Sequence, residues 1–402
     1  MLSDCLNGLK VLDFSHVVAG PVCGMMLGDM GADVVKIEPP EGELGRRIGP
    51  PFLNGESVVS LSVNRNKRGL AVDLKSPEGR RTILEMAVQA DVLIESFRPG
   101  VMARFGLDAE TLRALNPRLV YCSISAFGQT GPWRERAGVD GIIQAAAGLM
   151  STVGHGHSDP MKMSTPVADM VTGYLATVGV LGALAKVRLG HAGQHLDVSL
   201  YNATLMLQQV GFAFYLATGQ EPEKTGSAAP YAAPNEAFPT ADGWIMVAAY
   251  QPDRWRALCR VLDLPALPDD ERFADNAARV AHRAALYETL GTAFQQRDTA
   301  AWLRLLGDAD ILCAPIARYA DVTASEQYRH SGIETALHHP VAGDVRLPGF
   351  GLAGGEDLRT PASPPPLVGQ HSAEVLADYG LSPARIQALL LGGAVRTCDA
   401  SR

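Results

Sequence analysis

The sequence predicts an α/β protein: a large Rossmann-like domain built on a doubly wound parallel sheet, with a smaller α+β domain set into it. Three observations carry this. Strand-length apolar runs alternate with helical segments from Leu9 to Ile124, the rhythm of a parallel sheet with crossover helices. The texture then changes after residue 220 to a loop-rich stretch followed by a hairpin pattern. A chain of 402 residues, 47% hydrophobic and 19% charged, also exceeds what one ordinary core encloses.

The elements follow in order. Leu9 to Phe14 and Asp33 to Glu38 read as strands, joined by a helix over Pro21 to Met30 with Pro21 in its first turn and Gly31 just past its end. Leu70 to Leu74 is a strand, Ser76 caps a helix from Pro77 to Gln89, and Asp91 to Glu95 is the next strand. Short helices near Val101 and Ala109 lead to a strand at Leu119 to Ile124. A long helix rich in small residues follows Asp169, His195 to Leu200 is strand-like, and a second long helix begins near Tyr201. Asn235 to Ala249 reads as a hairpin turning at Asp242-Gly243, and helices around Trp255, Ala284 to Phe294 and Ala300 to Leu306 complete a small domain. The expected division is 1–220 for the first part of the large domain, 221–325 for the small one, and 326–402 for a return to the first. A Pro-rich segment, Thr360 to Pro366, and a last helix over Ser372 to Tyr379 belong to that return.

Composition excludes several classes of function. A net charge of −8 leaves no excess of Lys and Arg for phosphate neutralisation, so no nucleic-acid partner is expected. The six cysteines form no C-x-x-C pair, and a reducing cytoplasm suits them. The first residues have no basic segment leading into an apolar one, so no signal peptide is expected. Met170 to Ala185 is short for a bilayer and reads as a buried core helix, with no membrane partner. The paired imidazoles of Gly154-His155-Gly156-His157 lack a third ligand, so no metal is assigned. The loop Ser15 to Pro21 stands where open α/β sheets bind ligands but is not G-x-G-x-x-G, so a dinucleotide is unsupported.

Asp169 is the candidate of greatest chemical interest. It precedes the long apolar helix, where backbone N–H groups and the helix dipole would keep a carboxylate ionised and nucleophilic at neutral pH. Capping without chemistry is the alternative at the same position. Basic residues collect near strand ends: Arg65, Lys67 and Arg68, then Lys75, then Arg98 and Arg104. Such a set could hold the phosphates of a nucleotide-like ligand, or be solvated surface charge.

In sequence order the motifs of the chain resemble the class III CoA transferases. They are Leu9 to Pro40, Asn64 to Gly79, Ala90 to Leu107, Asn116 to Pro132, Val139 to Leu149, the D-x-x-x-G of Asp169 and Gly173, and Pro364 to Leu376. The resemblance implies that Asp169 is the nucleophile, passing through an aspartyl anhydride and an aspartyl-CoA thioester, with no permanently bound cofactor and with acyl-CoA and a carboxylic acid as substrates. It implies Lys75, Arg98 and Arg104 along CoA, Leu74 and Phe97 near its adenine, His16, Val17 and Asp140 around the acid, and two interlocked subunits. Ser96 replaces a frequent Asn, which weakens one expected polar contact near CoA. Gly138-Val139-Asp140 lacks the His that the racemase branch places before the Asp, which favours transfer over racemisation or isomerisation. The third possibility, a non-catalytic acyl-CoA-binding protein, is disfavoured by the presence of both Asp169 and Gly173.

Overall fold

In the computed structural model, which describes residues 2–352 and 362–398, six parallel strands form the main sheet. They are β1 (Lys10–Asp13), β2 (Asp33–Glu38), β3 (Lys67–Val72), β4 (Val92–Glu95), β5 (Val120–Ser125) and β6 (His195–Ser199). Most of their residues are buried, as strands covered on both faces by helices require. The spatial order is β3-β2-β1-β4-β5-β6, so the winding reverses between β1 and β4. A short strand late in the chain, Val395–Arg396, pairs antiparallel with β3 and closes that edge.

Helices α1 (Ala19–Asp29) and α2 (Pro77–Ala87) follow β1 and β3. Ser76 accepts a hydrogen bond from the Gly79 amide and Pro77 takes the first helical position, so the start of α2 lies where its cap residues put it. On one face of the sheet Leu12, Val35, Leu70, Ile83 and Leu93 share a core with Val375, Leu376, Ile386 and Leu389, which come from helices Ser372–Asp378 and Pro383–Leu391. The opposite face packs α1 against α4 (Val167–Arg188), with α3 (Asp140–Ala146) beside it.

Helix α4 has 22 residues and is long and apolar enough to cross a membrane. One face of it is committed to the protein core instead, with Ala168, Thr172, Gly173, Ala176, Val180 and Ala183 buried. Gly173 explains the close packing: a Cβ there would lie 2.7 Å from the Ala19 carbonyl oxygen and from Val22, so α4 and α1 approach at a point where only glycine fits.

The chain divides into two compact units, one of residues 1–149, 162–213 and 326–402, the other of residues 150–161 and 214–325. The second unit thus takes in the His155 loop, which the sequence reading left with the large domain, and begins a few residues earlier than 221. It contains the expected hairpin, Asn235–Pro239 with Trp244–Ala248, extended by an unforeseen strand at Leu312–Pro315. Its core gathers Phe238, Trp255, Leu258, Leu290, Phe294 and Trp302 from that sheet and from helices Pro252–Val261, Arg283–Phe294 and Thr299–Asp308. Within the first unit a second hairpin, Glu334–His339 with Gly343–Pro348, went unread in the sequence. Residues 360–361 of the Pro-rich segment lie outside the described residues.

Candidate active site

The reversal of winding between β1 and β4 leaves a crevice at the carboxyl ends of the two strands, the place where sheets of this order receive ligands. The loop after β1 and the turn after β4 meet there. The Ser96 hydroxyl oxygen accepts the His16 backbone N–H at 2.9 Å and stands 2.9 Å from His16 Nδ1, tying the two segments together. The His16 ring lies 5.6 Å from that of Phe97, centroid to centroid, and burial draws its basicity below the ordinary imidazole range. Ser96, expected to weaken a contact to CoA, is therefore used inside the protein.

Glu95 supports the turn from beneath. Its carboxylate accepts the Phe97 N–H at 2.9 Å, and burial pushes its pKa up to about 7. A cleft of 470 Å³ opens above, lined by His16, Phe97, Arg98, Arg136, Val139 and Ile142 among others. Arg98 is exposed at its edge, as a cation awaiting an anionic ligand would be.

Val17 adopts φ = +65°, a left-handed conformation costly for a β-branched residue. Its N–H donates to Glu43 Oε2 at 3.2 Å, while Lys36 Nζ donates to the Ser15 carbonyl at 3.1 Å and lies 3.8 Å from Glu43. Below the same loop Lys67 Nζ donates to Asp13 Oδ2 at 2.8 Å, the Pro21 carbonyl at 2.8 Å and Asn64 Oδ1 at 2.9 Å, and Asp13 Oδ1 accepts from the amide and hydroxyl of Ser15. Both members of the Lys67–Asp13 pair are fully buried; burial lowers the Lys67 pKa to about 8, with Asp13 working against the fall. Strained backbone and buried ions persist only where surrounding contacts over-determine them, and the segment that presents His16 and Val17 is so held.

Asp169 does not precede the long helix but sits within its first turn; α4 begins at Val167 with Pro166 as its N-cap, and no side chain of its own sequence caps it. The cap comes from Asp140, whose Oδ1 accepts the Ala168 N–H at 2.8 Å and the Asp169 N–H at 3.4 Å. Gln144 braces Asp140, donating to its Oδ2 at 2.7 Å and accepting the Met163 N–H at 2.9 Å. This corrects the electrostatic expectation as well. Burial, followed by repulsion from Asp140, raises the Asp169 pKa to about 7, so the carboxylate is not held ionised by the helix end; it is poised at neutrality.

Gly173, one turn after Asp169 on the same face, packs against Ala19 and Val22. Met170 and Val17 both pack on the apolar cluster of Val18, Val22 and Val63, and Val139, in the cleft wall, adjoins Asp140. Asp169 thus stands between the loop after β1 and the start of α3. The cleft itself gathers His16, Phe97 and Arg98 from the expected residues; Asp169, Asp140, Val17, Leu74, Lys75 and Arg104 are not in its lining. Leu74, like Phe97, packs against the core that includes Leu12, Leu70 and Leu93, and Lys75, just after β3, and Arg104 are exposed.

The remaining cations of the expected basic set are not ligand donors. Arg65 forms a buried two-toothed pair with Asp29, Lys67 is held by Asp13, and Arg68 bonds Asp33, Glu374 and Asp378. Their partners are distant in sequence, so charge spacing alone could not tell them from ligand-facing cations. His155 forms an isolated bridge with Thr225, and among the described residues no group of three His, Cys, Asp or Glu is placed to hold a metal. Sequence reasoning missed Glu95, Gln144, Lys36 and Glu43 and read Ser96 only as a changed contact near CoA; only the position of Glu95 at a strand end offered a signal.

Comparison with known proteins agrees with this architecture. Residues 6–372 match the model of the CoA-transferase family III. The chain is 36% identical to the succinyl-CoA:glutarate CoA-transferase of Mus musculus, over 98% of this chain and 92% of that protein. It is 37% identical to the succinate–glutarate CoA-transferase of Agrobacterium fabrum, over 93% and 95% respectively. Among solved structures, a CaiB/BaiF family protein from Brucella suis superposes with a TM-score of 0.83 at 35% identity, covering 94% of this chain and 100% of that one.

Proposed function

We propose, since this chain belongs to the CoA-transferase family III and is a CoA transferase, that it moves CoA from an acyl-CoA such as succinyl-CoA to a dicarboxylate by way of covalent intermediates on Asp169. The observation that carries the reading is the Asp169 carboxyl itself, half-buried in the first turn of α4 where Asp140 caps the helix, with its pKa raised to about 7. A carboxylate freed from its hydration shell is a stronger nucleophile, and one titrating near neutrality is ionised in a useful fraction while still able to leave.

The exchange balances in four steps. The Asp169 carboxylate attacks the thioester carbonyl, the C–S bond breaks, and an acyl-aspartyl anhydride and CoA thiolate result. The thiolate attacks the Asp169 carbonyl carbon, expelling the donor acid and leaving an aspartyl-CoA thioester. The acceptor carboxylate attacks that thioester, again releasing CoA thiolate and forming a second anhydride. The thiolate then attacks the acceptor's acyl carbon, and Asp169 departs as the free carboxylate. Arg98 at the cleft edge, with Lys75 and Arg104, supplies charge for the phosphates of CoA, and Leu74 and Phe97 supply the apolar surface for its adenine.

Relatives named for glutarate as acceptor motivate the choice of a dicarboxylate. The same reading carries an interlocked homodimer working in a reducing cytoplasm. Helix Gln209–Thr218 has no buried residue although it carries Val210, Phe214, Tyr215 and Leu216, and such an apolar face calls for a protein cover.

The test is mass spectrometry of enzyme quenched during turnover with succinyl-CoA, alongside rates for a panel of short dicarboxylates and monocarboxylates. Expected is an adduct on the peptide containing Asp169, absent in Asp169→Asn, and a preference for dicarboxylates. An Asn variant with full activity would remove Asp169 from the chemistry.

A further inference from the structure

We infer that Ser96 locks His16 into the neutral tautomer with its proton on Nε2, and that this N–H donates a hydrogen bond to the acyl oxygen as Asp169 attacks. The inference rests on the nucleophile reading of Asp169 for the identity of the acceptor, but the tautomer follows from hydrogen bonds alone.

The Ser96 hydroxyl has one proton to give and two lone pairs to receive. One lone pair takes the His16 backbone N–H at 2.9 Å. The other contact, also 2.9 Å, is to His16 Nδ1. Were the imidazole proton on Nδ1, the Ser96 oxygen would accept twice and its own proton would have no acceptor among the described residues. With the hydroxyl donating to Nδ1, the Ser96 hydroxyl, the His16 N–H and Nδ1 are all satisfied, and the ring proton resides on Nε2. Nε2 itself has no partner among the described residues, while the ring lines the cleft together with Phe97, Arg98 and Val139.

Position and charge state suit an oxyanion donor. The lock spans the crevice between β1 and β4, and the residue after His16 packs on the same apolar cluster of Val18, Val22 and Val63 as Met170, the neighbour of Asp169. Burial holds the imidazole neutral, so it can stabilise negative charge growing on the acyl oxygen without pairing with the Asp169 carboxylate and blunting its attack. Ser96 touches no reacting atom in this scheme; it is a positioning residue, and His16 is the donor.

Long-range ¹H–¹⁵N spectra of protein labelled at histidine nitrogen, with His16 assigned by its disappearance in His16→Gln, read the tautomer directly. Expected in the wild type near pH 7.5 is one species with a protonated Nε2 and a bare Nδ1. Ser96→Ala should give exchanging tautomers and about a tenfold lower kcat with the KM for acyl-CoA nearly unchanged, and Ser96→Thr should restore both. His16→Ala should lower kcat by about a hundredfold, the scale of a lost oxyanion donor. A backbone amide spectrum checks that each variant is folded. A wild-type proton on Nδ1, or a Ser96→Ala enzyme with the same tautomer and kcat as the parent, overturns the inference. Because the spectra need no turnover, failure to find an Asp169 adduct would sink the nucleophile reading while leaving the tautomer assignment standing.

Discussion

A lone acid at the head of an apolar helix is legible from sequence because nothing nearby competes for the role, but position alone left capping open and the family resemblance gave Asp169 its chemistry. Its ionisation was not legible, because the second carboxylate, Asp140, lies 29 positions earlier and reaches the helix only in the fold. The raised pKa fixes a pH dependence. Asp169 carries more protons folded than unfolded between about pH 4 and pH 7, so its contribution to stability falls as pH rises through that window and the full cost is borne above pH 7. Removing the charge with Asp169→Asn should therefore raise stability at pH 8, by no more than roughly 4 kcal/mol for a shift of this size, with the gain fading toward pH 4. Calorimetry at pH 8 and pH 4.5 measures it, and a variant less stable than the parent at pH 8 contradicts the assignment. Catalysis runs the other way: kcat/KM for the donor should climb with pH through about 7, since only the anion attacks.

Elements with local signatures matched expectation closely. Helix α2 begins at the proline its serine cap announced, and the hairpin Asn235–Pro239 with Trp244–Ala248 turns through the anticipated Asp242-Gly243. Long-range charge pairing defeated the reading elsewhere. Lys36 inside β2 and Lys67 at the start of β3 look like polar positions of an alternating strand, yet both are buried supports of the loop carrying His16 and Val17. Of the basic residues near strand ends, Lys75, Arg98 and Arg104 are left as the proposed CoA contacts. Charge-assisted contacts contribute roughly 1.5–3 kcal/mol each, so alanine at any of the three should raise the KM for acyl-CoA about tenfold or more and leave that for the free acid nearly unchanged. Initial-rate kinetics with each substrate varied in turn decides this, and unaltered acyl-CoA kinetics in all three variants would move CoA elsewhere.

At the scale of the molecule, the doubly wound sheet and the small inserted unit were readable because strand and helix periods alternate so regularly. The late hairpin Glu334–His339 with Gly343–Pro348 escaped because its strands alternate buried and exposed residues around charges and histidines, without a continuous apolar run. The exposed apolar helix Gln209–Thr218 sets the remaining expectation. Sedimentation should show a dimer, and separately purified tagged and untagged dimers should not exchange subunits over days, because interlocked chains part only by opening. A monomer in sedimentation, or rapid exchange, contradicts the interlocked arrangement.

The antiparallel strand Val395–Arg396 that closes the sheet beside β3 bears on how the protein is made. During synthesis β3 leaves the ribosome hundreds of residues before its edge partner, and the helices that supply Val375, Leu376, Ile386 and Leu389 to the core emerge only shortly before that partner. At about 5–20 residues per second the nascent chain carries an open strand edge and an uncovered apolar face for on the order of half a minute. Chaperone demand for this protein should therefore concentrate on the ribosome-bound chain and fall once Val395–Arg396 is free to pair with β3.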